Sequence, residues 1–80
     1  MRKVENYCVI LELLNDEQQP IETIDYWDYY PEELEEALAR YDELDINKYT
    51  AKCLLAELEG ETYEGILIKS EGYKEDEKCI

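Results

Sequence analysis

PEELEEALARYDEL, residues 31–44, is the stretch that decides the fold. Its apolar side chains recur every three or four residues, which places them on one stripe of a helix. These apolar positions are Leu34, Ala37, Leu38, Tyr41 and Leu44. Proline suits the first turn of a helix, and early carboxylates complement the positive end of the helix dipole. The stretch therefore predicts one amphipathic helix, from Pro31 to about Glu43, that covers one side of a neighbouring layer.

The segment before the helix predicts two strands. Residues 6–14 (NYCVILELL) carry apolar side chains on both faces of an alternating pattern, as a central strand does. A polar turn follows, and residues 21–27 (IETIDYW) predict a second strand. The apolar positions of this second strand break strict alternation, which indicates a bulge or an edge position in the sheet.

The segment after the helix contains one ambiguous stretch. Residues 49–59 fit a strand with Tyr49, Ala51, Cys53 and Leu55 on one face, or a helix with Ala51, Leu54, Leu55 and Leu58 on one stripe. Residues 63–69 (YEGILIK) read as a strand, which needs a neighbour. A hairpin through a turn at Gly60 supplies that neighbour locally, so we prefer the strand and keep the helix as the alternative.

These elements follow one another as ββαββ and predict an α+β fold. One helix stripe covers only one face of a small sheet, so we expect a four-stranded, mostly antiparallel sheet with the helix packed on one face. A right-handed return through the helix gives the strand order 2-1-3-4. We expect a single domain over residues 1–72 and a charged tail over residues 73–80. The uncovered face would hold apolar side chains, so it predicts a homodimer or a docked partner.

The charge of the chain excludes several classes of function. Its 22 acidic and 8 basic residues give a formal net charge of -14, and no Lys or Arg lies between Val4 and Ala39. Such a surface repels nucleic acid and anionic lipid, so we expect neither DNA or RNA binding nor membrane binding. No signal peptide follows Met1, and no apolar run approaches the ~20 residues needed to cross a bilayer. We expect a cytoplasmic protein.

The residues that most enzymes use are missing or poorly placed. The chain has no His, which removes the commonest general base and metal ligand. Cys8 and Cys53 lie in apolar runs and are expected to be reduced core thiols, while acidic neighbours would raise the pKa of Cys79. No calcium-loop, zinc or phosphate-loop pattern is present, so we expect no cofactor and no catalysis.

The feature that remains is the acidic and aromatic middle of the chain. Interfaces are enriched in Tyr and Trp, and acids steer a basic partner into place. On a helix, acids three or four residues apart lie about 5–6 Å from one another, close to the spacing of phosphates along a nucleic-acid strand. We therefore predict a partner-binding surface made of Asp25, Trp27, Asp28, Tyr29, Tyr30, Glu32, Glu33, Glu35, Glu36, Asp42 and Glu43.

In size, acidity, absence of His and richness in Tyr, the whole chain resembles small phage or mobile-element proteins, among them anti-CRISPR and anti-restriction inhibitors of the DNA-mimic type. The resemblance implies a non-enzymatic inhibitor that occupies a basic nucleic-acid groove on a nuclease or surveillance complex. The alternative is an accessory protein that dimerises or docks through its apolar sheet face, with acids that serve only solubility.

Overall fold

The computed structural model describes residues 3–59 and 65–73. Its elements are β1 (Val4–Leu14), β2 (Pro20–Tyr29), a 3-10 turn (Pro31–Glu33), α1 (Leu34–Glu43), β3 (Thr50–Leu58) and β4 (Gly65–Glu71). All strand pairs are antiparallel, and the strands lie in the order β2-β1-β3-β4. The predicted ββαββ fold and strand order are confirmed. The turn at Gly60 and residues 74–80 of the predicted tail lie outside the described residues.

β2 lies at one edge of the sheet and also departs from regular pairing with β1. The register between the two strands shifts between Leu11 and Glu12, and again between Leu13 and Leu14. An extra residue on one strand moves the following side chains to the opposite face. The broken alternation of β2 therefore has both of the causes that its sequence indicated.

The ambiguous stretch is strand β3, so the helical alternative is wrong. Four consecutive residues of β3, from Ala51 to Leu54, are buried, as in a central strand with a neighbouring strand on each side. Val9 of β1 lies opposite Leu54 in the register, and both side chains are fully buried. Contacts with two neighbouring strands outweigh the helical propensity of this segment.

The start of α1 is fixed by a reciprocal pair of hydrogen bonds. The backbone N–H of Tyr30 donates to Oε1 of Glu33 at 2.9 Å, and the backbone N–H of Glu33 donates to the carbonyl of Tyr30 at 2.9 Å. Pro31, which has no N–H to satisfy, occupies the first position of the turn. Together these residues turn the chain from the edge strand β2 into the helix.

The end of α1 is held by a buried cation from β3. The Nζ of Lys52 donates to the carbonyl oxygens of Tyr41 at 2.7 Å and Leu44 at 2.9 Å. The same Nζ lies 4.3 Å from the centre of the Tyr41 ring and 3.8 Å from a carboxylate oxygen of Glu71. Lys52 is only 5% exposed and joins the helix to the middle of the sheet, where it supplies a donor to the Leu44 carbonyl and a second donor to the Tyr41 carbonyl, which also accepts the Leu44 N–H.

The core lies between α1 and one face of the sheet. Its fully buried members are Val9, Ala37, Tyr41 and Leu54, and the half-buried Tyr7, Trp27, Tyr29, Leu38 and Leu44 pack around them. We call the opposite side the open face, because no described helix lies on it. Cys8 and Cys53 are buried on this open face, as expected for structural thiols. Tyr73 also lies on the open face, where its hydroxyl donates to Oε1 of Glu12 at 2.5 Å.

Candidate functional site

The solvent side of α1 and of the turn before it carries most of the predicted acids. Five of them are exposed: Glu32, Glu35, Glu36, Asp42 and Glu43. The seven-residue spacing from Glu35 to Asp42 and from Glu36 to Glu43 puts these four on one arc of α1, opposite the buried Ala37 and Tyr41, and Glu32 lies in the 3-10 turn that leads into the helix. The structure therefore gathers these carboxylates over one region rather than scattering them.

The two ends of this arc differ in how far their charge is neutralised. At the C-terminal end, Glu43 pairs with Arg40 at 3.5 Å and Asp42 pairs with Lys69 at 3.6 Å. Among the ion pairs within residues 3–59 and 65–73, none involves the three acids at the N-terminal end. We call these three, Glu32, Glu35 and Glu36, the acidic patch. Asp42 and Glu43 each pair with a local cation. Their position at the helix C-terminus can therefore be explained without a role in partner binding.

Two of the predicted aromatic anchors are part of the fold. Trp27 and Tyr29 extend from β2 toward the helix and pack half-buried against the core. The Arg40 guanidinium lies 4.9 Å from the centre of the Trp27 ring, and its Nε donates to the Tyr29 hydroxyl at 3.2 Å. That hydrogen bond is the main cause that raises the pKa of Arg40, while the nearby Asp25 contributes less. These rings hold α1 on the sheet and are only partly exposed to a partner.

Tyr30 and Glu33 take opposite roles beside the patch. The Tyr30 side chain is 68% exposed at the turn between β2 and the helix, next to Glu32. Glu33 is half-buried and uses its carboxylate to accept the Tyr30 backbone N–H. Tyr30 is therefore the aromatic side chain that a partner of the acidic patch would meet, and Glu33 fixes its position.

Asp28 lies on the other side of the sheet from the acidic patch. It is opposite Cys8 in the register and therefore points to the open face, away from α1. There it lines a depression of about 530 Å³ between β1, β2 and β3. The lining residues are Asn6, Cys8, Ile10, Thr23, Tyr26, Asp28 and Glu57. The structure thus divides the predicted surface between two faces of the molecule.

The depression is electrically negative. Burial raises the pKa of the Cys8 thiol to about 12, and the carboxylates of Asp28 and Glu57 add to that shift. A thiol with such a pKa stays protonated at neutral pH and is a poor nucleophile. Sequence reasoning missed Glu57 and Tyr26 as site residues. Only the strand register, in which Glu57 lies opposite Asn6 and Tyr26 opposite Ile10, brings them together.

Comparison with protein-family models, with curated proteins and with solved structures found no match for this chain. Within the residues that the structure describes, no group of three or more Cys, Asp or Glu side chains is arranged to hold a metal ion. In the same part of the chain, no helix has both the length and the apolar character required to span a bilayer. The geometry of the two surfaces is therefore the basis for a functional proposal.

Proposed function

We propose that the chain is a cytoplasmic, non-enzymatic inhibitor that binds a basic protein surface and excludes nucleic acid from it. A defence nuclease or a surveillance complex is the class of partner that such a surface fits. The observation that supports the proposal is the acidic patch, whose three carboxylates lie in the first turn of α1 and the 3-10 turn before it and take part in no described ion pair.

The electrostatics of the patch favour a cationic groove. Glu35 and Glu36 lie in the first turn of α1, and Glu32 lies in the 3-10 turn just before it, so the three acids concentrate negative charge at the N-terminal end of the helix. The stretch without Lys or Arg from Val4 to Ala39 includes β1, β2 and the first half of α1, so its field reinforces that of the patch. Such a field accelerates the approach of a basic partner and weakens with added salt.

The exposed Tyr30 ring gives the patch an uncharged contact. Interface energy is concentrated in a few aromatic and Arg side chains, and Tyr buries a large area at low cost in side-chain entropy. Because Glu33 holds the Tyr30 backbone, the ring is presented from an ordered turn. The proposed footprint is thus Tyr30 with Glu32, Glu35 and Glu36.

A capture experiment with a matched charge control tests the proposal. The immobilised chain is exposed to lysate at about 50 mM and about 500 mM salt, with and without excess DNA or RNA. We expect captured proteins to be released by salt and displaced by nucleic acid. The triple variant Glu32→Lys, Glu35→Lys, Glu36→Lys should slow association of the purified partner several-fold.

The control reverses three exposed acids far from the patch: Asp16→Lys, Glu17→Lys, Glu22→Lys. Both triple variants change the formal net charge from -14 to -8, because each replaces three negative charges by three positive ones. Only the patch variant should lose rapid association. Equal rates for the two variants, or capture that nucleic acid does not disturb, would refute the proposed function.

A second candidate function is favoured by exposed aliphatic side chains. Ile66, Leu67 and Ile68 are consecutive in β4 and are 55%, 55% and 43% exposed. An accessory protein that dimerises or docks through this part of the sheet would use them, and its acids would serve only solubility. Binding of that kind persists at high salt, so the same salt series separates the two candidates.

A further inference from the structure

The depression on the open face is large enough to receive a side chain. Its volume of about 530 Å³ lies within the range of about 300–1,000 Å³ that is usual for ligand pockets. It lies above β1, and its floor contains the buried Cys8 and the half-buried Ile10. The feature is distinct from the acidic patch, which projects from the helix on the other face of the sheet.

Two carboxylates stand on opposite sides of this floor. Asp28 belongs to β2 and lies opposite Cys8, whereas Glu57 belongs to β3 and lies opposite Asn6. Both residues line the depression together with Cys8, and their carboxylates add to the effect of burial in raising the pKa of that thiol. Among the described residues, none of those lining the depression is Lys or Arg, and neither carboxylate takes part in a described ion pair.

The wall that completes the depression is aromatic. Tyr26 of β2 lies opposite Ile10 in the register, and its side chain is 57% exposed. A ring beside two carboxylates suits a guanidinium group, which is planar, donates two parallel hydrogen bonds to a carboxylate and stacks on aromatic faces. An ammonium group carries the same charge, but it cannot donate two parallel hydrogen bonds to a carboxylate and it stacks less well on a ring.

We propose that this depression receives an arginine side chain from a partner protein. The guanidinium lies between Asp28 and Glu57 and against the Tyr26 ring, while its methylene stem covers Ile10. The inference goes beyond the proposed function, because it assigns a second binding surface on the opposite face of the sheet. It neither requires nor excludes competition with nucleic acid at the acidic patch.

Peptide titrations followed by NMR test the assignment. The full-length ¹⁵N-labelled chain is titrated with acetylated tetra-arginine amide in about 150 mM salt, which screens exposed charges. The corresponding tetra-lysine peptide and tetra-citrulline peptide, which is neutral and nearly isosteric with arginine, serve as ligand controls. We expect the arginine peptide to shift the backbone amide signals of Cys8, Ile10, Tyr26 and Asp28, the lysine peptide to bind more weakly, and the citrulline peptide to cause no shifts there.

The double variant Asp28→Asn, Glu57→Gln should weaken binding of the arginine peptide about tenfold, which corresponds to about 1.4 kcal/mol. The control Asp16→Asn, Glu17→Gln changes the net charge equally, from -14 to -12, on an exposed turn outside the depression, and should leave the affinity within about twofold. If the first variant fails to fold, Tyr26→Ile provides the test. Isoleucine is favoured in strands, so this variant should fold, and loss of the exposed ring should weaken binding of the arginine peptide about threefold.

Three outcomes would overturn the assignment. They are equal losses for the two double variants, equal affinity for the arginine and lysine peptides, and shifts confined to the helix amides around Glu35 and Glu36. The last result would still agree with the proposed function, because it places the cationic peptide on the acidic patch. Conversely, failure of the nucleic-acid competition experiment would leave the shifts at Cys8 and Ile10 unaffected.

Discussion

The buried ammonium of Lys52 offers a direct test of how α1 is held on the sheet. The substitution Lys52→Met keeps the length of the aliphatic stem and removes the charged donor. The Leu44 carbonyl then loses the Nζ donor at 2.9 Å, and the Tyr41 carbonyl loses the one at 2.7 Å and keeps the Leu44 backbone N–H at 3.3 Å. A hydrogen bond to a charged group contributes about 1.5–3 kcal/mol, so losing these two bonds should lower the unfolding free energy by about 2–4 kcal/mol. That is a large share of the stability of a small domain.

Urea unfolding followed by Trp27 fluorescence measures this loss, because the only Trp packs in the core beside the helix. With a urea dependence of about 1 kcal/mol per molar, which is typical of a small protein, the midpoint should fall by about 2 M or more. The control Lys69→Met removes an exposed cation that pairs with Asp42 at 3.6 Å and should cost below about 1 kcal/mol. Equal losses in the two variants would show that Lys52 does not hold the helix end.

Four further predictions concern buried side chains and one glycine with a positive φ. Raising the pH above about 10 should destabilise the fold, because the pKa of Tyr41 is raised by burial from 10.0 to about 12 and the unfolded chain releases that proton first; urea midpoints at pH 8 to 11 measure this. Tyr41→Phe should be neutral or stabilising by up to about 1 kcal/mol in the same assay, since its buried hydroxyl has no hydrogen-bond partner among the described residues. In a Cys79→Ser background, Cys8 and Cys53 should react with a thiol reagent only after urea is added, because burial raises the pKa of both; rapid reaction of the folded chain would contradict this. Gly72→Ala should lower the midpoint, since φ is +97° and a Cβ would lie 2.7 Å from a backbone oxygen of β3; an unchanged midpoint would contradict the strain.

The architecture could be predicted from the sequence because several local signals agreed. The helical stripe that includes Ala37 and Tyr41 required one covered sheet face, and the right-handed return through the helix fixed the order of the strands. Residues 49–59 were ambiguous because their apolar side chains suit either periodicity. The segment is a strand because it pairs with β1 and β4, and these long-range pairings cannot be recognised from a local sequence pattern.

The candidate surfaces were less predictable because they depend on strand register. Trp27 and Asp28 are neighbours in the sequence, yet alternation along β2 sends one toward the helix and the other to the open face. Glu57 is distant from Asp28 in the chain and reaches the same depression only through two strand pairings. Lys52 was overlooked for another reason, since a lone lysine is usually exposed and its burial is explained only by the helix end above it.

The edge strand β4 has a consequence for how copies of the chain behave toward one another. Its row of exposed aliphatic side chains resembles the edges that join sheets into larger assemblies, and natural proteins commonly protect such edges. We expect the protection here to be long-range repulsion between molecules that each carry a formal charge of -14. The range of that repulsion shrinks from about 10 Å in 0.1 M salt to about 3 Å in 1 M salt. Concentrated salt, or acid strong enough to protonate the carboxylates, should therefore turn a dispersed protein into one that self-associates edge to edge.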